Sequence, residues 1–505
     1  MFKSLFLGRR WWNWSLTLQE RTTNISPTMI AQNEYSQKVG LRIENERLAV
    51  DISACVHELF YNRGVEIVLF RNQLRDKSSS QILELHHYAN DFVGKAIPVD
   101  RTLEMLKALK RTGIEHAKID IGKLTHQWTQ TDDTAEAFII NTLGHLFRTP
   151  TLEPRDVVLF GFGRIGRLLA RELIVQEGSG NQLRLRAVAV RSIDAASLHK
   201  RASLWKIDSV HGDFPGTVIV DEERMALVVN GRPIYFIPTP NPAEADYEAY
   251  GIKNALLIDN SGAFRDDVAL SKHLAAKGVD KVLLTAPGKG IPNVVHGVNQ
   301  MDMSKKDHII SAASCTTNAI SPVLKVMNDR FGIAKGHLET IHAYTNDQNL
   351  VDNMHNKYRR GRAAAMNMVI TETGAGQAVD KCIPGLGAKL TSSAIRVPVP
   401  NGSLAILNLQ LEKQTNLEEL LSTFKQAALE GPLVEQIHYN TSNELVSSDI
   451  VGNAAPSIFD VHATQVTPDG MTAILYIWYD NEYGYSRQVL RLAKHFTGVR
   501  RPAYY

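Results

Sequence analysis

Cysteine is scarce in this 505-residue chain, acidic residues are missing before Glu20, and no long apolar run occurs anywhere. Each shortage excludes something. Without an apolar stretch near the roughly 18 residues a membrane helix needs, no membrane association is expected. Three cysteines, Cys55, Cys315 and Cys382, are too few and too scattered for a disulfide framework or a metal site. A reducing, cytoplasmic setting without bound metal follows as the expectation, and a cysteine used there acts as a thiol. The 56 Lys and Arg nearly balance 53 Asp and Glu, for a net charge of +3, so no nucleic-acid partner is expected.

The length exceeds what one core accommodates, and two to four domains are expected. Residues 1–40 are expected to be a disordered leader. They carry Lys3, Arg9 and Arg10 like a targeting segment, but lack the apolar stretch and cleavage site of a secretory signal. A translation start at Met29 is the other reading of this leader. Residues 41–152 read as a helical extension. Apolar residues at helical spacing predict helices near 78–93, 100–113 and 132–147, with Ser78–Ser80 and Asp100 as capping candidates. His86–His87 is expected on a helix surface, because neighbouring residues on a helix point apart. The extension shows no chemical constellation, and amphipathic spacing without chemistry suggests an interaction or oligomerisation role.

At Val157 the character changes. A short apolar run leads into Gly161-Phe162-Gly163-Arg164-Ile165-Gly166, then a helical pattern, then the strand LRAVAV. G-x-G-x-x-G between a strand and a helix permits a tight turn, close approach of a pyrophosphate and close helix packing. Further short apolar runs at 256–260, 282–287 and 308–314 alternate with helices, predicting a doubly wound parallel sheet over 153–313. Longer, alternating runs from about 336 predict a mixed sheet and hence an α+β domain over 314–484. The residues from 485 to 505 are expected to return to the first of these domains as a helix. After LRAVAV no carboxylate stands where one would bind the ribose hydroxyls of NAD. Arg191 stands there and suits a 2′-phosphate, so the sequence leaves NAD and NADP open.

Ser314-Cys315-Thr316-Thr317-Asn318 lies between a strand and a helix. A cysteine at a helix start faces the positive end of the macrodipole, which is expected to lower its pKa toward a thiolate. Twenty-seven residues on, His342 ends a strand and is a candidate to receive the thiol proton.

The segment SAASCTTNAISPVLKVMND resembles the active-site signature of glyceraldehyde-3-phosphate dehydrogenases. From about Arg155 to Thr497 the resemblance is sustained by GFGRIGR, DSVHG, SGAF, TAP, HAYTNDQ, RRGRAAAMN, TGAG, KLTSSAIRVPVPN and WYDNEYGYS, in the family's order. The resemblance implies a dinucleotide-binding domain, a catalytic domain and a homotetramer. It implies that Cys315 attacks the aldehyde of glyceraldehyde 3-phosphate, that His342 manages the proton, and that inorganic phosphate cleaves the resulting thioester. Cofactor contacts are implied for Arg164, Ile165, Ser261, Thr285, Asn481 and Tyr485 beside the glycines. Thr345, Asp347 and Arg396 are implied at the substrate phosphate; Ser314, Thr316, Thr373, Gly374 and again Arg396 at the attacking phosphate. The chain departs from the family at Phe160, where Asn is usual, around Arg191–Ser192, where an Asp is usual, and throughout the first 150 residues. Two rival functions are weighed: an erythrose-4-phosphate dehydrogenase, and a cofactor-binding regulatory protein acting through its extension.

Overall fold

The computed structural model of the chain describes residues 32–147 and 152–505. Most of the expected leader, including Met29, lies outside the described residues. Gln32–Gly40, also expected in that leader, instead open a long helix, Gln32–Arg63. Straight-chain Gln, Glu, Lys and Arg side chains favour it. Its later turns bury Ala49, Ile52, Val56 and Leu59, spaced three and four apart as a single face requires.

Four more helices, Ser79–Tyr88, Val99–Arg111, Ile121–Trp128 and Ala135–Leu143, close around this face. Ser78 caps the first of them in a reciprocal arrangement with Gln81. At the second, the expected cap moves: Pro98, extended and without a capping side chain, precedes the helix, and Asp100 falls in its first turn. There the carboxylate still meets the positive end of the helix. His86 is also corrected. It is buried, with Nδ1 2.8 Å from the Ile82 carbonyl and Nε2 3.0 Å from Thr102 Oγ1, while His87 is exposed. Position 86 lies one turn after Ile82, on the core stripe.

The extension also holds a small sheet that periodicity did not predict, in the order Asn72–Gln73, Glu66–Leu69, Lys118–Asp120, Ala503–Tyr504. Its outermost strand is the C-terminus of the chain. The final helix, Tyr483–Phe496, packs on the helix Arg164–Glu177 of the dinucleotide-binding domain as expected. Beyond it the chain turns at Gly498 (φ +73°), and Ala503 and Tyr504 pair in parallel with Lys118 and Ile119. The expected helix through 505 is thus cut short, because Gly498 and Pro502 cannot continue it.

Residues 155–311 form an eight-stranded sheet. Its six parallel strands run in the order 309–311, 279–284, 255–259, 155–160, 183–190, 232–238, and an antiparallel pair, 226–229 and 218–221, completes one edge. The strand Ala255–Asp259 is buried along its whole length, as a strand covered on both faces must be. The first strand leads to a neighbour on one side and later strands add to its other side, so the loop after Phe160 sits at a topological switch point.

The second sheet has eight strands: seven run in the order 369–371, 390–397, 333–343, 403–411, 472–479, 457–460, 437–440, and the short strand Gln465–Val466 pairs with Thr472–Tyr479 beside them. Thr472–Tyr479 alternates buried and half-buried side chains, with Ala473, Leu475 and Ile477 on the covered face. The helix Cys315–Phe331 covers that face, so its N-terminus stands where the two sheets meet.

Deleting Pro502–Tyr505 should loosen the extension, since it removes the parallel pairing and the 2.8 Å bond from Tyr505 Oη to Glu435. Each lost bond is worth about 1 kcal/mol. Trypsin should then cut the extension several-fold faster than it cuts the intact chain; equal rates would show that the C-terminal strand does not hold it.

Candidate active site

The strand Ile309–Ser311 runs into Ala313, which takes φ +54°, a left-handed turn unusual for alanine and costing about 1 kcal/mol. That turn is pinned by Tyr485, whose hydroxyl donates to the Ala313 carbonyl at 2.9 Å. Ser314 then caps the helix, its Oγ accepting from the Thr317 amide at 3.0 Å. Cys315 is thereby the first helical residue, and its Sγ lies 3.6 Å from His342 Nε2.

His342 comes from the other sheet, near the end of Ile333–Ala343. In register beside it stands Arg396. His342 Nδ1 is 2.7 Å from the Ala343 carbonyl, which only accepts, so the ring proton is assigned to Nδ1 and the Nε2 lone pair faces the sulfur. Arg396 Nη1 lies 3.0 Å from Nδ1 but donates to the same carbonyl at 2.9 Å and to Thr345 Oγ1 at 3.2 Å.

Burial, and secondly the Arg396 charge, push the His342 imidazole down to about 3. Burial pushes the Cys315 thiol up, although Arg396 pulls the other way. The expected lowering of the thiol by the helix terminus is therefore corrected. Desolvation of a thiolate outweighs the partial charges there, and the pair stands as neutral thiol beside neutral imidazole. Such a pair suits general-base activation of the thiol when an electrophile arrives.

Thr345 and Asp347 lie beside this pair. The Thr345 hydroxyl donates to Asp347, and Arg360, a residue sequence reasoning missed, pairs with the same carboxylate. Burial raises the Asp347 carboxyl, but the Thr345 bond and the Arg360 charge prevail and hold it below its usual range. The Nε of Arg396 is buried without a partner among the described residues. An unpaired guanidinium N–H next to a second arginine suits a phosphate oxygen.

A cleft of about 460 Å³ opens from Cys315 and His342 toward the glycine loop, lined also by Ile165, Thr285, Asn481 and Tyr485. Gly161 takes φ +107°, and a side chain on Gly166 would meet Asn260 Oδ1 at 2.4 Å. At Gly163 a side chain would meet nothing within 4 Å, so backbone approach from outside is open there. That cradle fits a dinucleotide pyrophosphate at the N-terminus of Arg164–Glu177. Asn481 Oδ1 accepts from the Gly402 amide at 3.2 Å and Ser403 Oγ at 2.8 Å, which leaves its NH₂ group for a ligand's carbonyl.

Not every expected contact is brought to the cleft. Arg164 lines it, but its guanidinium is held by Asp208 at 2.7 Å and by Glu482 at 2.5 Å. Those carboxylates lie in recognised motifs, yet no spacing pairs positions 164, 208 and 482. Thr316 is buried, its hydroxyl 3.0 Å from that of Tyr479. Thr373 Oγ1 accepts from the Ala375 amide, and Gly374 caps Ala375–Asp380; neither is hydrogen-bonded to Cys315 or Arg396 among the described residues. Ser261 is tied to Asp259 at 2.7 Å, whereas Thr285 does line the cleft while its hydroxyl donates to the Asp259 carbonyl at 3.1 Å. Arg191 is exposed just past the strand Leu183–Val190, while the nearest carboxylate, Asp194, is engaged in capping Ala195–Lys206.

Two family models match the chain: the glyceraldehyde 3-phosphate dehydrogenase NAD binding domain over residues 155–267, and the C-terminal domain of the same family over 314–481. A glyceraldehyde-3-phosphate dehydrogenase-like protein of Pseudomonas aeruginosa is 46% identical over 457 residues, 89% of this chain and 99% of that protein. A match of that length reaches into the extension. Glyceraldehyde-3-phosphate dehydrogenase 2 of Trichormus variabilis is 42% identical over 340 residues, 67% of this chain and 97% of its own length. The enzyme of Zymomonas mobilis is 38% identical over 339 residues, 67% of this chain and 97% of that protein. A cysteine and a histidine converging beside a dinucleotide cradle, together with these matches, make the chain a member of the glyceraldehyde-3-phosphate dehydrogenase family of NAD(P)-dependent oxidoreductases.

Proposed function

We propose that the chain catalyses the reversible, phosphorylating oxidation of glyceraldehyde 3-phosphate to 1,3-bisphosphoglycerate. The observation that carries this reading is the 3.6 Å approach of Cys315 Sγ to His342 Nε2, with the Arg396–Thr345 anion site one residue row away. Cys315 Sγ attacks the aldehyde carbon while its proton passes by way of His342 Nε2 to the carbonyl oxygen, giving a thiohemiacetal and returning His342 to its neutral form. A nicotinamide held by the glycine-loop cradle and the Asn481 amide would supply the hydride acceptor for the oxidation of this adduct to a thioester. His342, kept neutral by burial, takes up the hydroxyl proton that leaves in that oxidation. A phosphate oxygen then displaces the sulfur, and Arg396 bridges the two anions. Splitting the oxidation through a thioester lowers each barrier in turn.

Both nicotinamide cofactors are accepted in this reading, with Arg191 as the partner of a 2′-phosphate. We further propose the homotetramer of the family as the assembly. Leu350, Met354, Tyr358, Met366 and Met368, each more than three-quarters exposed, crowd one segment of the catalytic domain. Apolar surface so concentrated is a mark of an interface.

Cys315→Ser should lower turnover of glyceraldehyde 3-phosphate by roughly a thousand-fold or more, and His342→Asn by roughly a hundred-fold, each with cofactor binding retained. In the wild type, alkylation by iodoacetamide should keep rising with pH through 8, because burial holds the thiol above its usual range. A plateau already reached below pH 6 would show an ion pair instead. Faster turnover of erythrose 4-phosphate than of the three-carbon aldehyde would reject the substrate assignment.

Arg191→Ala should reduce the kcat/KM ratio of NADP to NAD by roughly tenfold, the scale of one charged hydrogen bond. An unchanged ratio removes Arg191 from the cofactor site. Tyr358→Glu with Met366→Glu should reduce the mass measured by sedimentation below that of a tetramer. A tetramer that persists in this variant would move the interface elsewhere.

A further inference from the structure

Where the extension meets the enzyme domains lies a small cavity of about 50 Å³, against the roughly 10–15 Å³ that one water needs. Its walls come from every part of the molecule. The extension contributes Glu66 and Lys118, the catalytic domain Glu435, and the dinucleotide-binding domain Gln176 and Gln182. The final helix adds Arg487, Arg491 and Lys494, and the C-terminal tail adds Arg500 and Arg501. Six cationic side chains thus face two carboxylates.

The carboxylates are largely committed. Lys118 Nζ lies 3.1 Å from Glu66 and 2.7 Å from Glu435, and it occupies both. Arg487 is paired outside the cavity wall with Glu172 at 2.7 Å. Lys494 Nζ has the neutral Gln176 amide oxygen at 2.9 Å, and Arg491 has the Ala454 carbonyl and the Gln488 amide. Arg501 is only 5% exposed; its Nη1 reaches Glu66 no closer than 3.8 Å, and its Nε and Nη2 are buried without partners among the described residues. Burial pushes the Lys494 ammonium down to about 7; the Glu66 charge opposes this, and the neighbouring Arg501, Arg487 and Lys118 charges add to it. Arg500 also reaches Glu435, at 3.6 Å, so two carboxylates are shared among six cations, and buried positive charge left in excess is costly.

We propose that this cavity is a binding site for a phosphate group, held by Arg501, Lys494 and Arg491. Its size suits one tetrahedral oxyanion, and guanidinium forks with an ammonium are the donor set such an anion selects. A cleft of about 390 Å³ shares Lys118, Glu435, Arg487 and Arg491 with the cavity and is lined further by Arg71 and Lys77. The phosphate is therefore either inorganic phosphate or the end of a small organic phosphate whose body lies in the cleft. The site is separate from the Arg396 site, which lies in the catalytic cleft with Cys315.

The test is calorimetric titration of the full chain with inorganic phosphate and, separately, with glycerol 3-phosphate. Both titrations are made in an Arg396→Gln background, which silences the catalytic anion site. One phosphate per chain should still bind, and adding Arg501→Gln or Lys494→Gln should weaken it at least tenfold. Tighter binding of the organic phosphate assigns the cleft to its body, and equal binding assigns free phosphate; either supports the site. Loss of all binding with Arg396→Gln alone, or binding indifferent to Arg501 and Lys494, overturns it. Should the second substitutions prevent folding, a crystal structure of the wild-type chain in saturating phosphate decides: a tetrahedral anion within hydrogen-bond distance of Arg501 Nε or Nη2 supports the site, and its absence overturns it.

Discussion

Two sheets have to meet at one point for this molecule to have chemistry. Cys315 belongs to a helix that leaves the end of the parallel sheet, and His342 to a strand of the mixed sheet. Their 3.6 Å approach exists only because that helix packs against the mixed sheet with its first residue at the seam. The same seam is fastened by polar bonds. Tyr485 of the final helix holds the left-handed Ala313, and Ser403 Oγ joins the Ala343 amide at 3.1 Å to Asn481 at 2.8 Å. Backbone strain at Ala313 thus sits beside the reactive sulfur and persists because its surroundings fix it.

Electrostatics at the seam follow from burial. A histidine and a cysteine taken out of water both resist charge, so the resting pair is neutral and poised rather than ionised. Arg396 shifts both groups the same way, toward neutral imidazole and toward thiolate, while keeping an unpaired N–H of its own. Arg164 does something different. Clamped between Asp208 and Glu482, it ties the glycine-loop helix to the start of the final helix, and so sets how the cofactor cradle faces the thiol.

The extension is bound to the enzyme domains by charge and by main chain together. Arg71 Nη1 reaches the Ile437 carbonyl at 2.7 Å, Arg75 Nη1 reaches the Val175 carbonyl at 2.6 Å, and the C-terminal strand completes the extension's sheet. One helix, Tyr483–Phe496, carries Tyr485 at the catalytic cleft and Lys494 at the cationic cavity. The extension and the C-terminal segment therefore close on each other across the catalytic unit.

Local chemistry was legible from residues alone. The glycine loop, the cysteine at a helix start, the histidine at a strand end and the strand–helix alternation each depend on neighbours within about ten positions. Short-range sterics and hydrogen bonding therefore decide them. The mixed sheet was legible too, because side chains on one covered face alternate, as in Thr472–Tyr479. What the tertiary structure alone decided involves partners far apart in the chain. The thiol's ionisation is set by desolvation within the packed chain more than by the helix terminus, and the Arg164 clamp joins residues more than 300 positions apart. His86 is covered by Thr102 of the next helix, and a two-residue C-terminal strand carries too little periodicity to be seen before its partner is in place. Burial and long-range pairing are properties of the packed chain, and no window of sequence contains them.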